Sequence, residues 1–290
     1  MKTKINDFIF DIIVYVAVTF AGIITLYPFL YVFSMSISDP VAVAANKVFL
    51  LPVGFSFESY KKVVTDSRFL ISYYNTIWYV VVGTTLNVIF TVMCAYPLSK
   101  KRFFARNFFM LVIVITMFFS GGLIPFYLLV LKLGLYNSRW AMVLPGLIGS
   151  MSVVMCRTYF QELPEELFES ARIDGASEFR IIYRILIPIS TPIIAVLALF
   201  YAVGHWNSWF NALLFLKDSS LHPIQIFLRR ILIESSPELM DMVTISKTEL
   251  LSMLQVKYTA IIVASLPIIV IYPFLQKYFV KGIMLGSLKG

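Results

Sequence analysis

Six stretches of this chain are long and apolar enough to cross a bilayer, at roughly 9–34, 72–98, 107–131, 140–160, 189–216 and 257–280. A hydrocarbon core about 30 Å thick takes about 20 apolar residues as a helix, and a helix satisfies its backbone polar groups within the segment. An all-α membrane protein with six transmembrane helices is therefore the expected fold class. Charged residues are 14% of the 290, against about 25% in an average soluble domain, so an ordinary soluble fold is excluded. Lys2 and Lys4 followed by apolar sequence resemble a secretory signal, but the run from Phe8 to about Ser34 exceeds the roughly 7–15 residues of a signal core. It is expected to remain as the first span.

The connections between spans are unequal. Residues 99–106 hold Lys100, Lys101, Arg102 and Arg106, whereas 132–139 hold only Lys132 and Arg139. The positive-inside rule then places 99–106, both termini and the segment between spans four and five in the cytoplasm. The net charge of +8 is spread over loops with no large basic cluster, which fits topology and lipid contact rather than nucleic acid. Cys94 and Cys156 lie inside apolar stretches and read as packing residues. The organisation expected is a first helix with its external loop (1–71), a five-helix core (72–280) and a cytoplasmic tail (281–290), the last short and flexible.

Within the core, Gly121-Gly122, Pro125, Pro145, Gly146 and Gly149 interrupt spans three and four, which is tolerated in lipid where protein or a cavity receives the break. The external loop 35–71 reads as irregular structure ending in a short helix near 57–62. In 217–256, Ile224, Phe227, Leu228, Ile231 and Leu232 share one helical face, as either an interfacial helix or a cap on the bundle.

Between spans four and five the sequence turns polar, with Glu162, Glu165, Glu166, Glu169, Asp174 and Glu178 in one short loop. Pro164 suits a first helical position and Glu165 and Glu166 favour the dipole behind it. Leu167, Phe168 and Ala171 form a small apolar stripe, Gly175 stops the helix, and Ser177 can cap a second one that runs to Pro188. A helix–turn–helix standing in water is a handle for a partner.

The pattern Glu169-x-Ala171-x-x-x-Gly175, nine residues, then Ile185-x-x-Pro188 resembles the cytoplasmic signature loop of ABC importer permeases. Ser170 stands where that pattern usually has Ala, and Ile187 where it has Leu. Asn75-Thr76 opening span two, Trp206-Asn207 in span five and the ending Phe279-Val280-Lys281-Gly282 are similar to the carbohydrate-uptake permeases, most of all those importing oligosaccharides or polysaccharide fragments. The resemblance implies a type I importer architecture with a cytoplasmic coupling helix inside 161–188. Glu169, Ser170, Ala171, Asp174 and Gly175 would couple to an ATPase, and Ile185 and Pro188 would join the second helix to span five. It further implies a second permease subunit in a heterodimer, two ATP-binding subunits and an extracytoplasmic binding protein. The setting would be the cytoplasmic membrane of a bacterium or archaeon. No cofactor is expected on this chain, with ATP and Mg held by the partner ATPase, since no Gly-x-x-x-x-Gly-Lys-Ser/Thr occurs.

No nucleophile elbow, zinc motif or paired membrane carboxylate occurs, and the middle of each span lacks Asp, Glu, Lys and Arg. Intramembrane charges usually mark proton or ion paths, so proton coupling is disfavoured and energy must come from a partner. A substrate pathway is sought at Trp206, Asn207, Trp209 and Asn211, where aromatic faces and amides suit a sugar, with Asn87 in span two a further candidate. An interfacial aromatic belt with inter-helix hydrogen bonds accounts for the same residues. A permease for amino acids or peptides, and a stand-alone channel, are the competing functions.

Overall fold

The computed structural model describes residues 2–234 and 247–287 and is helical, with no strand among those residues. Three helices cross as single rods: Phe10–Ile37, Ser67–Ser99 and Met253–Pro273. Three further crossings are bent pairs. Arg106–Phe118 and Leu123–Lys132 meet at 116°, Arg139–Gly146 and Ser150–Gln161 at 49°, and Glu178–Ile189 and Thr191–Trp206 at 86°. Six spans are thus reached only when each bent pair is taken as one.

Each break has a local cause. At the first, Gly122 takes φ +84°, which an L side chain disfavours, and starts the next helix. At the second, Leu144–Gly146 winds as a 3₁₀ turn around Pro145, and the side-chain amide of Asn87 donates to the freed carbonyls of Gly146 and Leu147, each at 2.8 Å. At the third, the chain turns at Ser190 ahead of Pro192.

Two expected spans need correction. The stretch 107–131 is not one helix but turns sharply at residues 119–122. The stretch 189–216 ends as a helix at Trp206, passes through non-helical 207–209 and resumes at Phe210–Phe215. The first bend falls at Gly121-Gly122, an interruption already visible in the sequence, and the second at Asn207-Ser208, polar residues inside an otherwise apolar stretch.

The chain forms two compact units. One comprises residues 1–70 with 227–266, the other 71–226 with 267–290. In the first, Met35, Ala42, Val43 and Val48 are buried, with Tyr31, Leu254 and Tyr258 against them. The expected short helix of the external loop is present as Glu58–Thr65. Span one ends beneath this loop, its last carbonyls taken by side chains: Gln255 Nε2 donates to Ser38 O at 2.7 Å and Ser36 O at 3.2 Å.

In the second unit the largest core sits at the end of span two nearest the signature loop. Val92, Ala95 and Tyr96 pack there with Val153, Cys156 and Phe160 from the fourth crossing and Phe168, Ile181 and Leu186 from the loop. At the opposite end, Asn75 Nδ2 donates to Ser220 O and Tyr79 Oη to Leu221 O, both at 2.7 Å. The helix at 224 is Ile224–Glu234, with Ile224 and Phe227 buried, as a cap would be; residues 235–246 lie outside the described range. The last helix, Lys247–Ser287, carries residues 281–287 as helix rather than as flexible tail, and 288–290 also lie outside the described range.

Candidate functional site

The polar loop is built as its sequence implies, its first helix starting two residues later. Its first helix is Glu166–Ile173, with Pro164 just ahead of it rather than at its first position. It ends in a Schellman turn: Ala176 N donates to Ala171 O at 2.9 Å and Gly175 N to Arg172 O at 3.0 Å. Gly175 takes φ +77°, and a Cβ there would meet nothing, so backbone conformation alone demands glycine. Ser177 then caps the second helix by accepting from Arg180 N. That helix contains a π-turn over Ile182–Leu186, in which Ile187 N donates to Ile182 O. Pro188 follows with no amide of its own, which favours such a slipped register.

Apolar burial holds the loop down. Phe168, Ile181 and Leu186 are each 0% exposed, and fully burying such side chains stabilises by about 1.5–3 kcal/mol apiece. Ala171 and Ile185 are half-buried against the same core. Leu167, expected in the apolar stripe, instead faces outward beside the fully displayed Ile173. Of the signature residues, Glu169, Ser170, Asp174, Gly175 and Pro188 are exposed.

Charge holds it as well, through residues that the sequence reading used only for topology or for helix ends. Lys100, just past the C-terminal end of span two, is nearly buried, with Nζ 2.7 Å from Glu165 Oε2 and 3.5 Å from the centroid of the Phe168 ring. Arg172 reaches both ways, from Nε to Glu178 Oε1 at 3.0 Å and from Nη1 to Glu165 Oε1 at 3.3 Å. Glu178 also accepts from Tyr96 Oη at 2.7 Å and pairs with Arg102. Burial would raise the Glu165 carboxyl, but hydrogen bonds and charge from Lys100 and then Arg172 outweigh it and hold the group below its ordinary 4.5. The missed signal was charge complementarity between the basic turn 99–106 and the acidic loop.

The proposed pathway residues are not brought together. Asn87 is wholly buried, and its side chain is occupied: besides its two carbonyl partners, its Oδ1 lies 2.7 Å from His205 Nε2. Trp206 is buried edge-on to Tyr73 and lines an apolar cleft of about 540 Å³ with Val80, Phe200, Val203, Ile268 and Tyr272. Asn207 and Asn211 are four positions apart, but the break at 207–209 separates them, and Trp209 sits exposed at its far side.

Apolar helices that make up to six crossings, joined by a helix–turn–helix with exposed acidic residues, fit a membrane-embedded component. Residues 87–285 match the family described as "Binding-protein-dependent transport system inner membrane component", and the chain belongs to that family. It is thus the permease subunit of an ABC importer, a transport component and not an enzyme. Among curated relatives, Protein LplC of Bacillus subtilis is 41% identical over 93% of this chain and 91% of its own length. The polygalacturonan/rhamnogalacturonan transport system permease YtcP of the same organism is 36% identical over 97% of this chain and 99% of its own. A chain from the crystal structure of a bacterial ABC transporter involved in import of the acidic polysaccharide alginate superposes with TM-score 0.87 at 35% identity, covering 94% of this chain and 98% of that one. In a second structure, that transporter type in complex with an alginate pentasaccharide-bound periplasmic protein, a chain matches at TM-score 0.57 and 15% identity, a likeness of fold alone.

Proposed function

We propose that this permease imports an oligosaccharide released from a polysaccharide, handed to it by an extracytoplasmic binding protein and driven by ATP hydrolysis on partner subunits. The observation that carries the cargo is the pair of relatives at 35–36% identity, one a polygalacturonan/rhamnogalacturonan permease and the other from a transporter importing the acidic polysaccharide alginate. The family description itself supports dependence on a binding protein. The complex holds a second permease subunit and two ATP-binding subunits, with ATP and Mg on the latter, and both termini of this chain lie in the cytoplasm.

In this reading the displayed face of the 166–173 helix, with Glu169, Ser170, Asp174 and Gly175, seats in the ATPase, while Ala171, Ile185 and Pro188 carry its motion into the bundle. The substrate pathway includes Asn207, Trp209 and Asn211 at the break in span five. Trp206 and Asn87 shape that break from within, one by packing and the other by its hydrogen bonds.

The test is an uptake panel in cells with and without the intact chain, using labelled uronate-containing oligosaccharides, neutral oligosaccharides, amino acids and peptides. Uptake of oligosaccharide that needs both this chain and ATP is expected. Chain-dependent uptake of amino acids or peptides alone would overturn the cargo, and uptake by this chain alone in liposomes would overturn the ATP-driven assembly.

A further inference from the structure

We propose that Arg172 is a positioning residue that stiffens the elbow at Gly175 and ties the 166–173 helix to the C-terminal end of span two, so that its motion reaches span two as well as span five. This rests on the importer reading above. Along the backbone, the loop helix connects onward only through Gly175, a residue in a conformation that other L residues rarely adopt. A joint of that kind can flex and absorb a push. The side chains around it oppose flexing.

Arg172 straddles the turn. One arm holds Glu165, which precedes the first helix, and the other holds Glu178, which opens the second. Its side chain is 19% exposed against 49% and 44% for the two carboxylates, so the guanidinium end of each pair is the shielded one. Both carboxylates are also held from span two and the turn that follows it. Lys100 takes Glu165, and Tyr96 and Arg102 take Glu178. Lys100 further rests on the ring of Phe168, the buried anchor of the first helix. Two acids are thus clamped from both sides by groups of opposite charge or by a hydroxyl, and among the described residues the only guanidinium touching both is that of Arg172. The turn's own backbone bonds, Ala176 N to Ala171 O and Gly175 N to Arg172 O, fix its shape but reach no other span. The ties to span two run through side chains alone.

The experiment uses the complete complex in liposomes, with both permeases, ATPases and loaded binding protein, and measures substrate imported per ATP hydrolysed. Arg172→Gln should lower that ratio about tenfold, because ATPase motion is lost in a loosened elbow. Arg172→Lys, which keeps a cation but cannot fork to both acids, should recover part of it. The exposed neighbour variant Lys101→Gln should keep the wild-type ratio. A merely structural role would reduce the amount of assembled complex and both activities together, leaving the ratio unchanged, and that result would overturn the proposal. Should Arg172→Gln fail to assemble, Tyr96→Phe removes only the hydroxyl on Glu178, and a ratio within error of wild type there would count equally against it. A wild-type complex showing no ATP hydrolysis stimulated by the binding protein would instead defeat the importer reading.

Discussion

Gly83 stands in span two where His205 of span five comes closest. A Cβ at this position would overlap Nε2 of the imidazole and lie 2.6 and 2.8 Å from Cε1 and Cδ2. Real carbon contacts are not so short, so Gly83→Ala must push the ring aside. The ring is also the partner of Asn87 Oδ1 at 2.7 Å, and Asn87 is buried with its amide committed to Gly146 and Leu147. Overpacking costs about 1–3 kcal/mol, and leaving a buried acceptor unpaired costs about 1–3 kcal/mol more. The expected loss is therefore about 2–6 kcal/mol, or a fall on the order of 10 °C in the melting temperature of the detergent-solubilised protein. The control is the His205→Ala background, where the obstacle is gone and alanine is the better helix former by about 1 kcal/mol. There Gly83→Ala should be neutral or slightly stabilising. Equal losses in both backgrounds, or no loss with His205 in place, would refute the close-approach reasoning.

Other outcomes follow from the loop. Gly175→Asn should retain most uptake whereas Gly175→Val should lose nearly all, since a left-handed position costs an L residue about 1–2 kcal/mol and a β-branched one more; uptake by complexes of matched abundance reads this. Lys100→Met should lower stability by about 1–3 kcal/mol, less than a fully buried pair because Glu165 keeps access to water, and thermal melting checks it. The depressed Glu165 carboxyl fixes the sign of a pH effect. Its ionised form is favoured in the folded state, so that stability is complete above the ordinary value of 4.5 and lost as pH falls through the depressed one. The melting difference between wild type and Glu165→Gln should hold from pH 7 to about pH 5 and close at lower pH. A difference that does not change with pH would show that the ion pairs contribute nothing.

The sequence carries some of this directly. A helix ended by glycine and a second capped by Ser177 are local features, because each depends on neighbours within a few residues. Six apolar stretches likewise report their own length. The bends at 119–122 and 207–209 are legible only in part, since Gly121-Gly122 marks an interruption without giving its angle and Asn207-Ser208 would also fit a continuous helix. The clamp on the loop was hidden for a different reason. Lys100 and Glu165 are 65 residues apart, and Tyr96 and Glu178 are 82 apart, so only folding reveals that the basic turn and the acidic loop are halves of one structure. Asn87, sought as a substrate contact, shows the same limit. An amide in an apolar span has to bond something, and here the broken fourth crossing and His205 take all of it.

The C-terminal end of span one has a consequence for how the chain is made. A helix leaves its last carbonyls without partners, and most helices find them in the next few residues. Here Ser38 O, just past the helix, waits for Gln255, 217 positions on, while Ser36 O is shared among the Gln255 amide and the hydroxyls of Ser59 and Thr259. Five crossings are therefore synthesised before the first one receives its cap. A ribosome-bound chain stopped short of residue 255 holds a first helix with an unfinished end, and the arrival of one glutamine marks the moment when beginning and end of the protein recognise each other. Chains arrested just before and just after that residue should differ in protease protection at 34–38, a readout of biogenesis rather than of transport.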